Sequence, residues 1–431
     1  MKQVLVIEGG YNLQGSIKIS GAKNAALPVL AATLLAQGKY LIKNCPELLD
    51  VKTFSELLRQ LGATVKPEKI YDEDGSMDLW IDTSSVNSFK APYELVRTMR
   101  ASVLVLGPLV ASMGKARVSM PGGCAIGERP IDLHLKGLEL MGAKLDLKEG
   151  YIEAKARGGL KGAEIAFDVP TVTGTENLMM AAVTAKGETV LRNAAREPEI
   201  VCLGKMLCAM GAQISGLGTD TIYIKGVKKL SPTQWEIIPD RIEAGTYLMA
   251  VAAAGGELFL KDADASLLEA VISKLKETGL KIVIEKDGIF CKKRGRLSAV
   301  DVKTLPYPGF PTDLQAQIMA IMTTAKGLSV ITETIFDKRF QHVAELKRLG
   351  ADIRIEGRSA IIKGIRQLNG APVEATDLRA SASLVIAGLG AKGKTVIDNI
   401  YHLDRGYSRI EKKLSSVGAK IWREPKKSET S

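Results

Sequence analysis

Leu61-Gly62-Ala63-Thr64-Val65 closes one element and opens another: a leucine ends an amphipathic helix, a glycine stops it, and a strand begins. Glycine is the usual residue just past a helix C-terminus, where the backbone turns left-handed. The pattern returns as Met141-Gly142-Ala143-Lys144-Leu145, Met210-Gly211-Ala212-Gln213-Ile214 and Thr278-Gly279-Leu280-Lys281-Ile282. It returns twice more, as Leu349-Gly350-Ala351-Asp352-Ile353 and Val417-Gly418-Ala419-Lys420-Ile421. Successive glycines lie 80, 69, 68, 71 and 68 residues apart. A fixed period makes the repeat the unit that folds.

Working outward, the helix before each of these glycines carries an apolar stripe at i, i+3, i+4 and i+7. Phe54, Leu57, Leu58 and Leu61 form it in the first copy, and Leu268, Val271, Ile272 and Leu275 in the fourth. Tyr407, Ile410, Leu414 and Val417 make a similar stripe in the sixth. Such a stripe turns one face to a core. A second glycine precedes each helix: Gly38, Gly114, Gly187, Gly256, Gly327 and Gly393. It ends an alanine-rich helix and opens a strand, as in Gly187-Glu188-Thr189-Val190-Leu191. The alanine-rich helices, such as residues 178–185 and 318–325, are apolar nearly all round, which requires burial on most sides. Each unit therefore reads strand, helix, strand, helix, strand. The class is α/β, and six units pack most naturally as two globules of three, about 200 residues each. The midpoint falls near Trp235-Glu236-Ile237-Ile238-Pro239-Asp240.

The totals bound the function. The chain has 431 residues, 46% hydrophobic and 25% charged, as in soluble globular proteins. No apolar run reaches the ~18 residues of a membrane span; the longest, residues 25–36, contains Pro28 and reads as a buried helix. The start, Met1-Lys2-Gln3-Val4-Leu5-Val6-Ile7-Glu8, meets an acid too early for a signal peptide. Five unclustered cysteines (Cys45, Cys124, Cys202, Cys208, Cys291), no CxxC and three scattered histidines point to a reducing, cytoplasmic setting. They offer neither a disulfide framework nor a zinc site. A net charge of +11 favours anionic partners. Aromatics at 5% are thin for base stacking, which speaks against a nucleic-acid ring or clamp. The polar tail, residues 423–431, is expected to fray.

Chemistry-bearing residues cluster where units turn from strand to helix. From second glycine to helix stop, five copies span 23 to 25 residues and the second spans 28. The surplus holds Pro121-Gly122-Gly123-Cys124-Ala125-Ile126-Gly127-Glu128-Arg129-Pro130. An insertion in one copy of a repeat usually serves a function, so Cys124 reads as a reactive thiol with Arg129 beside it for an anion. The alternative is a small buried cysteine in a glycine turn. Ser20-Gly21-Ala22-Lys23-Asn24 places a lysine at a helix entry suited to phosphate, or is an ordinary cap with a solvent lysine. Pro311-Thr312-Asp313 places a carboxylate likewise, either a general base or a favourable first-turn charge. Arg100, Arg339, Arg379 (in Asp377-Leu378-Arg379) and Arg405 (in Asp404-Arg405-Gly406-Tyr407) could converge on one polyanion or form structural Asp–Arg pairs. Glu197, Glu199, Asp240, Arg241 and Glu243 read as contacts between the globules.

Together, Lys23-Asn24, the Cys124 loop, Arg196 to Glu199, Pro239 to Glu243, Phe310-Pro311-Thr312-Asp313, Asp377-Leu378-Arg379 and Tyr401 to Tyr407 resemble one family. It is the UDP-N-acetylglucosamine 1-carboxyvinyltransferases, enolpyruvyl transferases that open peptidoglycan synthesis. The resemblance runs over about residues 1–422. It implies a two-domain inside-out α/β barrel of six βαβαββ-type units, three per domain. Domain 1 would span residues 21–238; domain 2 would combine residues 1–20 with 239–431. The active site would lie in the cleft, with the Cys124 loop as lid. By this resemblance, Cys124 is the acid that protonates phosphoenolpyruvate and can carry a covalent adduct. Asp313 takes the proton of the sugar 3-hydroxyl. Lys23, Arg129 and Arg405 hold phosphate, and Arg379 and Arg405 face the carboxylate. Asn24, Arg100, Arg129, Pro130, Ile131, Asp132, Leu133, Thr171, Val172, Asp313 and Ile335 contact UDP-N-acetylglucosamine. His134 positions the loop, and Arg339 and Asp377 complete the substrate contacts. No metal or cofactor is required, no nucleic acid or membrane is a partner, and a monomer is expected. The segment Thr171-Val172-Thr173-Gly174-Thr175 reads Thr-Gly where many relatives have Gly-Ala. The shikimate-pathway transferase is the rival, but its Gly-Asn-Ala-Gly-Thr loop is absent.

Overall fold

The computed structural model describes residues 2–71, 73–96, 99–120 and 131–426. Its architecture is six small four-stranded sheets surrounding two sets of buried helices. Every sheet has the same order. In the third unit, the strand Glu164–Ala166 pairs in parallel with Glu188–Arg192. Glu188–Arg192 then pairs antiparallel with Thr221–Lys225, which pairs with Gln213–Ser215. The alanine-rich helix Val172–Ala182 joins the parallel pair, and Pro198–Ala209 leads into the final hairpin. The unit thus has one strand more than its sequence pattern marked, because its last two strands form a hairpin too short to show a separate period.

The glycine punctuation holds throughout. All twelve glycines read as helix stops or strand openers have positive φ, between 67° at Gly114 and 140° at Gly38. The alanine-rich helices Lys23–Ala32, Val172–Ala182, Arg241–Ala254, Gln315–Met322 and Leu378–Gly390 are buried along nearly their whole length. The amphipathic stripes Phe54/Leu57/Leu58/Leu61 and Leu268/Val271/Ile272/Leu275 are buried too.

Two hydrophobic cores result, one drawn from residues between Ala22 and Ile237, the other from Leu5 to Ile19 and Ile242 to Ile421. Chain ends are exchanged between units. The strand Gln3–Glu8 lies between Lys394–Asp398 and Lys420–Pro425. Leu13–Lys18 pairs with Gly256–Lys261, and Gln234–Glu236 closes the first unit against Lys39–Pro46. A buried ion pair, Arg241 to Glu199 at 3.0 Å and 3.2 Å, ties the two globules together as the charged junction residues suggested.

Six residues after each strand-opening glycine the repeats share a further feature. Asn44, Asn193, Asp262 and Asn399 stand there with φ between 53° and 63°. The amides of Asn44, Asn193 and Asn399 donate to Ile237, Phe167 and Ala375 carbonyls just beyond the outer parallel strand. Asparagine tolerates this left-handed backbone better than other residues with a Cβ. Asn193→Ala is therefore expected to lower unfolding free energy by about 1–3 kcal/mol, through one lost hydrogen bond and the left-handed penalty. Asn193→Gly should recover the backbone part. Urea unfolding of the two variants checks this; equal losses would show that φ is not the reason for asparagine.

Candidate active site

Met120 and Glu333 occupy that sixth position in the two remaining units. Met120 leads into residues 121–130, so Cys124, Arg129 and Pro130 lie outside the described residues. Glu333 is buried and organises a cluster. Its carboxylate accepts from the Thr304 and Thr312 hydroxyls at 2.9 Å and 2.8 Å. It also accepts from the backbone N–H groups of Ile335 and Phe336 at 2.8 Å and 3.1 Å. Thr312 in turn accepts from Arg339 Nη1 at 2.8 Å.

Arg339 also reaches Asp313, Nη2 to Oδ1 at 2.8 Å, while Arg379 Nη2 meets the other carboxylate oxygen at 2.7 Å. The Asp313 side chain is one quarter exposed, whereas Arg339 and Arg379 are buried. Burial opposes its charge, but the two guanidiniums win and hold Asp313 well below the usual carboxylate range. Arg379 Nη1 donates to Tyr407 Oη at 3.3 Å, and Tyr407 is fixed by Gln317 Nε2 at 3.1 Å and shares a hydrogen bond with Thr246 at 2.9 Å. Arg379 has no freedom to leave without a better anion.

A second charged cluster lies on the first globule. Asp50, in the first turn of the helix Leu49–Gln60, is 4% exposed. It accepts from Lys23 Nζ at 3.3 Å and from Arg405 Nε at 2.8 Å, with Arg405 Nη2 at 3.5 Å. Burial lowers the Lys23 pKa; Asp50 raises it in opposition, and Arg379 and Arg405 push it further down. The Lys23 ammonium thus feels the charges of Arg379 and Asp313, which places both clusters in one field. Asp50 escaped the sequence reading because a first-turn aspartate looks like any helix-stabilising charge.

The adjacent Asp–Arg pairs in the sequence are not pairs in space. The carboxylate of Asp377 caps the helix Leu378–Gly390, accepting from the N–H groups of Arg379 and Ala380. Asp404 pairs with Arg423 at 2.6 Å and 3.0 Å, leaving Arg405 for Asp50. Neighbours in a turn point apart, so the Asp–Arg pairs that form join Arg379 to Asp313 and Arg405 to Asp50 from elsewhere in the chain.

The remaining predicted residues of the first globule lie on elements that pack on one another, Lys23–Ala32 against Arg100–Val105 and Val172–Ala182, and the last of these against Asp132–Leu140. Asn24 follows Lys23 in the first turn of its helix. Ile131 caps the helix Asp132–Leu140, whose first turn carries Asp132, Leu133 and His134. Arg100 opens the turn Arg100–Val105 and lowers the His134 pKa further. His134 is buried, hydrogen-bonded to Asn177 Nδ2 through Nδ1 at 3.0 Å and to the Thr173 hydroxyl through Nε2 at 3.3 Å. Burial pulls its pKa down to about 4, so the ring is neutral at pH 7. The Thr171 hydroxyl caps Val172–Ala182, accepting from Gly174 N–H at 3.2 Å. A Cβ at Gly174 would sit 2.4 Å from that side chain. The Thr173-Gly174 variation is therefore coherent: Thr173 holds His134, and Gly174 makes room for the cap. Ile335 stands apart from this group, its N–H on Glu333. Of the four described cysteines, Cys45 and Cys202 have thiol pKa values raised by burial, and Cys291 is pushed up to about 12. None of these three is a nucleophile at neutral pH.

Comparison with known proteins identifies the family. The model of the EPSP synthase (3-phosphoshikimate 1-carboxyvinyltransferase) family matches residues 7–414. The UDP-N-acetylglucosamine 1-carboxyvinyltransferase of Thermodesulfovibrio yellowstonii is 56% identical over 420 residues, covering 97% of this chain and 99% of the relative. That of Geotalea uraniireducens is 55% identical over 419 residues, with the same coverage. The chain belongs to the UDP-N-acetylglucosamine 1-carboxyvinyltransferase family. Among solved structures, the enolpyruvyl transferase NikO from Streptomyces tendae superposes with a TM-score of 0.87 at 24% identity, covering 98% of this chain and 99% of that one. EPSP synthase from Acinetobacter baumannii gives 0.76 at 19% identity, over 99% and 100% of the two chains. These two likenesses establish the enolpyruvyl transferase fold of this family member. No helix among the described residues is long and apolar enough to cross a membrane.

His134 gives a pH prediction. The unfolded chain binds a proton at this ring below about pH 6.5, whereas the folded chain does so only near pH 4. Stability from the neutral ring is thus full above pH 6.5 and is lost as pH falls toward 4, by about 3 kcal/mol. His134→Gln should lose less stability than the wild type over that interval, measured by urea unfolding at a series of pH values. Parallel curves would show that His134 titrates normally in the fold.

Proposed function

We propose that this chain transfers the enolpyruvyl group of phosphoenolpyruvate to the 3-hydroxyl of UDP-N-acetylglucosamine and releases phosphate, opening peptidoglycan synthesis. The observation that carries the reading is the meeting of four cations, Lys23, Arg339, Arg379 and Arg405, on two carboxylates from opposite globules. The two full-length relatives named for this reaction support the substrate pair.

The chemistry is an addition followed by an elimination. The sugar hydroxyl oxygen bonds to C2 of phosphoenolpyruvate while C3 gains a proton. C3 then returns a proton and the C2–O bond to phosphate breaks. Phosphate and carboxylate need fixed cations, the hydroxyl needs a base and C3 needs an acid. Lys23 and Arg405, with Arg129, take the phosphate; Arg379 and Arg405 take the carboxylate, and Arg339 holds the site behind them. Cys124 is the acid at C3, on a loop that closes over the cleft and is positioned through His134. The nucleotide sugar lies along Asn24, Arg100, Arg129 to Leu133, Thr171, Val172, Asp313 and Ile335. Asp377 fixes the helix start that carries Arg379. The protein works as a monomer in the cytoplasm, divided into residues 21–238 and residues 1–20 with 239–431.

Asp313 is the base, and its two arginines make it a weak one while the site is empty. An incoming substrate carboxylate competes for Arg379. As Arg379 turns to it, Asp313 loses a counter-charge and gains basicity when the hydroxyl is in reach. Phosphoenolpyruvate thereby switches on the base it needs.

Phosphate release from phosphoenolpyruvate should require UDP-N-acetylglucosamine and fall by roughly 10³-fold or more in both Asp313→Asn and Cys124→Ala, the loss typical of a removed proton-transfer group. Release that survives in Cys124→Ala would demote the thiol to a loop residue. Release supported by shikimate 3-phosphate in place of the nucleotide sugar would overturn the substrate assignment.

A further inference from the structure

We propose that Asp50 is a positioning residue that occupies, in the ligand-free protein, the electrostatic place of the substrate phosphate. This rests on the phosphate role of Lys23 and Arg405 given above. Asp50 is the buried carboxylate on which both cations converge, Lys23 from its own globule and Arg405 from the other. Neither cation can serve a phosphoryl group fully while it serves Asp50. Without Asp50, Lys23 and Arg405 would lose the carboxylate that stands between them.

The surroundings show that Asp50 has this task and is not merely one strut of the junction. The junction has other struts. Arg409, at φ 47°, donates to Glu47 from Nε at 3.1 Å and from Nη2 at 2.7 Å. The Ser408 hydroxyl donates to the Gly75 carbonyl at 2.8 Å. A Cβ at Gly75 would lie 2.1 Å from that hydroxyl oxygen, so the approach requires glycine. These contacts hold the segment 405–409 to the first globule without touching Lys23. Asp50, by contrast, stands in the first turn of its helix, where the free N–H groups stabilise its charge after the cations leave. The exchange is reversible: phosphate takes Lys23 and Arg405 on binding, and Asp50 reclaims them as product phosphate departs. A competing anion built into the site makes the site easier to empty.

The test is binding of inorganic phosphate to the full-length protein, by calorimetry in the absence of other substrates. Asp50→Asn keeps the side-chain shape and removes the competing charge. It should bind phosphate about tenfold more tightly than the wild type, the scale of one partly buried charge interaction. In turnover it should lower KM for phosphoenolpyruvate and lower kcat, since phosphate leaves slowly. Glu47→Gln cuts the neighbouring ion pair and should leave phosphate affinity within about twofold of wild type. Unchanged or weaker phosphate binding in a folded Asp50→Asn protein would overturn the proposal and return Asp50 to a structural role. Equal tightening in Glu47→Gln would overturn it too, because loosening of the junction would then explain the gain. Tighter phosphate binding without turnover on UDP-N-acetylglucosamine would sustain Asp50 while rejecting the substrate assignment.

Discussion

A helix with no polar face must be buried on all sides, and this constraint shapes the whole molecule. One alanine-rich helix cannot satisfy it inside its own unit, because a single four-stranded sheet covers only one side. Three units can, by turning their alanine-rich helices toward one another and their sheets outward. In the second globule the helices Arg241–Ala254, Gln315–Met322 and Leu378–Gly390 meet in this way. Burial to near-zero exposure concentrates the charged groups toward the helix ends. Those ends are where Lys23, Thr171, Asp240, Asp313 and Arg379 stand.

The N-terminal ends carry the charge because free N–H groups collect there and want acceptors. Asp240 and Asp377 answer that need as caps, accepting from the N–H groups two and three residues on. Asp313 does not cap; its oxygens are turned to Arg339 and Arg379. The difference separates a structural aspartate from one available to chemistry, although all three precede or open buried helices. Several of these buried charges are tolerated because they have partners of opposite sign, as in Arg241–Glu199 and Lys413–Glu243.

What the sequence revealed follows the range of the interactions. Helix stops, strand starts and apolar stripes depend on residues within one turn or one strand, and twelve glycines with their flanking apolar pattern located them. The exchange of the strands Gln3–Glu8 and Gln234–Glu236 between units depends on partners hundreds of residues away, and no local period records it. In the site the same division holds. Lys23, Asp313 and Arg379 were legible as odd residues at helix entries, and Arg405 as a junction residue next to Asp404. Asp50 was not, because only the fold shows that Lys23 and Arg405 share it. Glu333 did leave a signal: it stands six residues after the strand-opening glycine, where four other units have asparagine or aspartate.

That last signal carries a broader lesson about repeats. Four units place Asn or Asp there in left-handed backbone, just past the strand in three and at a bulge within Lys39–Pro46 in the first, a structural duty. The two that abandon it are the second and the fifth. The fifth uses the position for Glu333, which braces Thr312 and through it Arg339 beside Asp313. The second has Met120 there, directly before the segment 121–130 that contains Cys124. One unit from each globule has thus given up the repeat's own turn, and the groups proposed as base and acid lie in those two units. In a protein built of copies, a departure from the shared structural residue singles out the units whose strand ends are released from the turn.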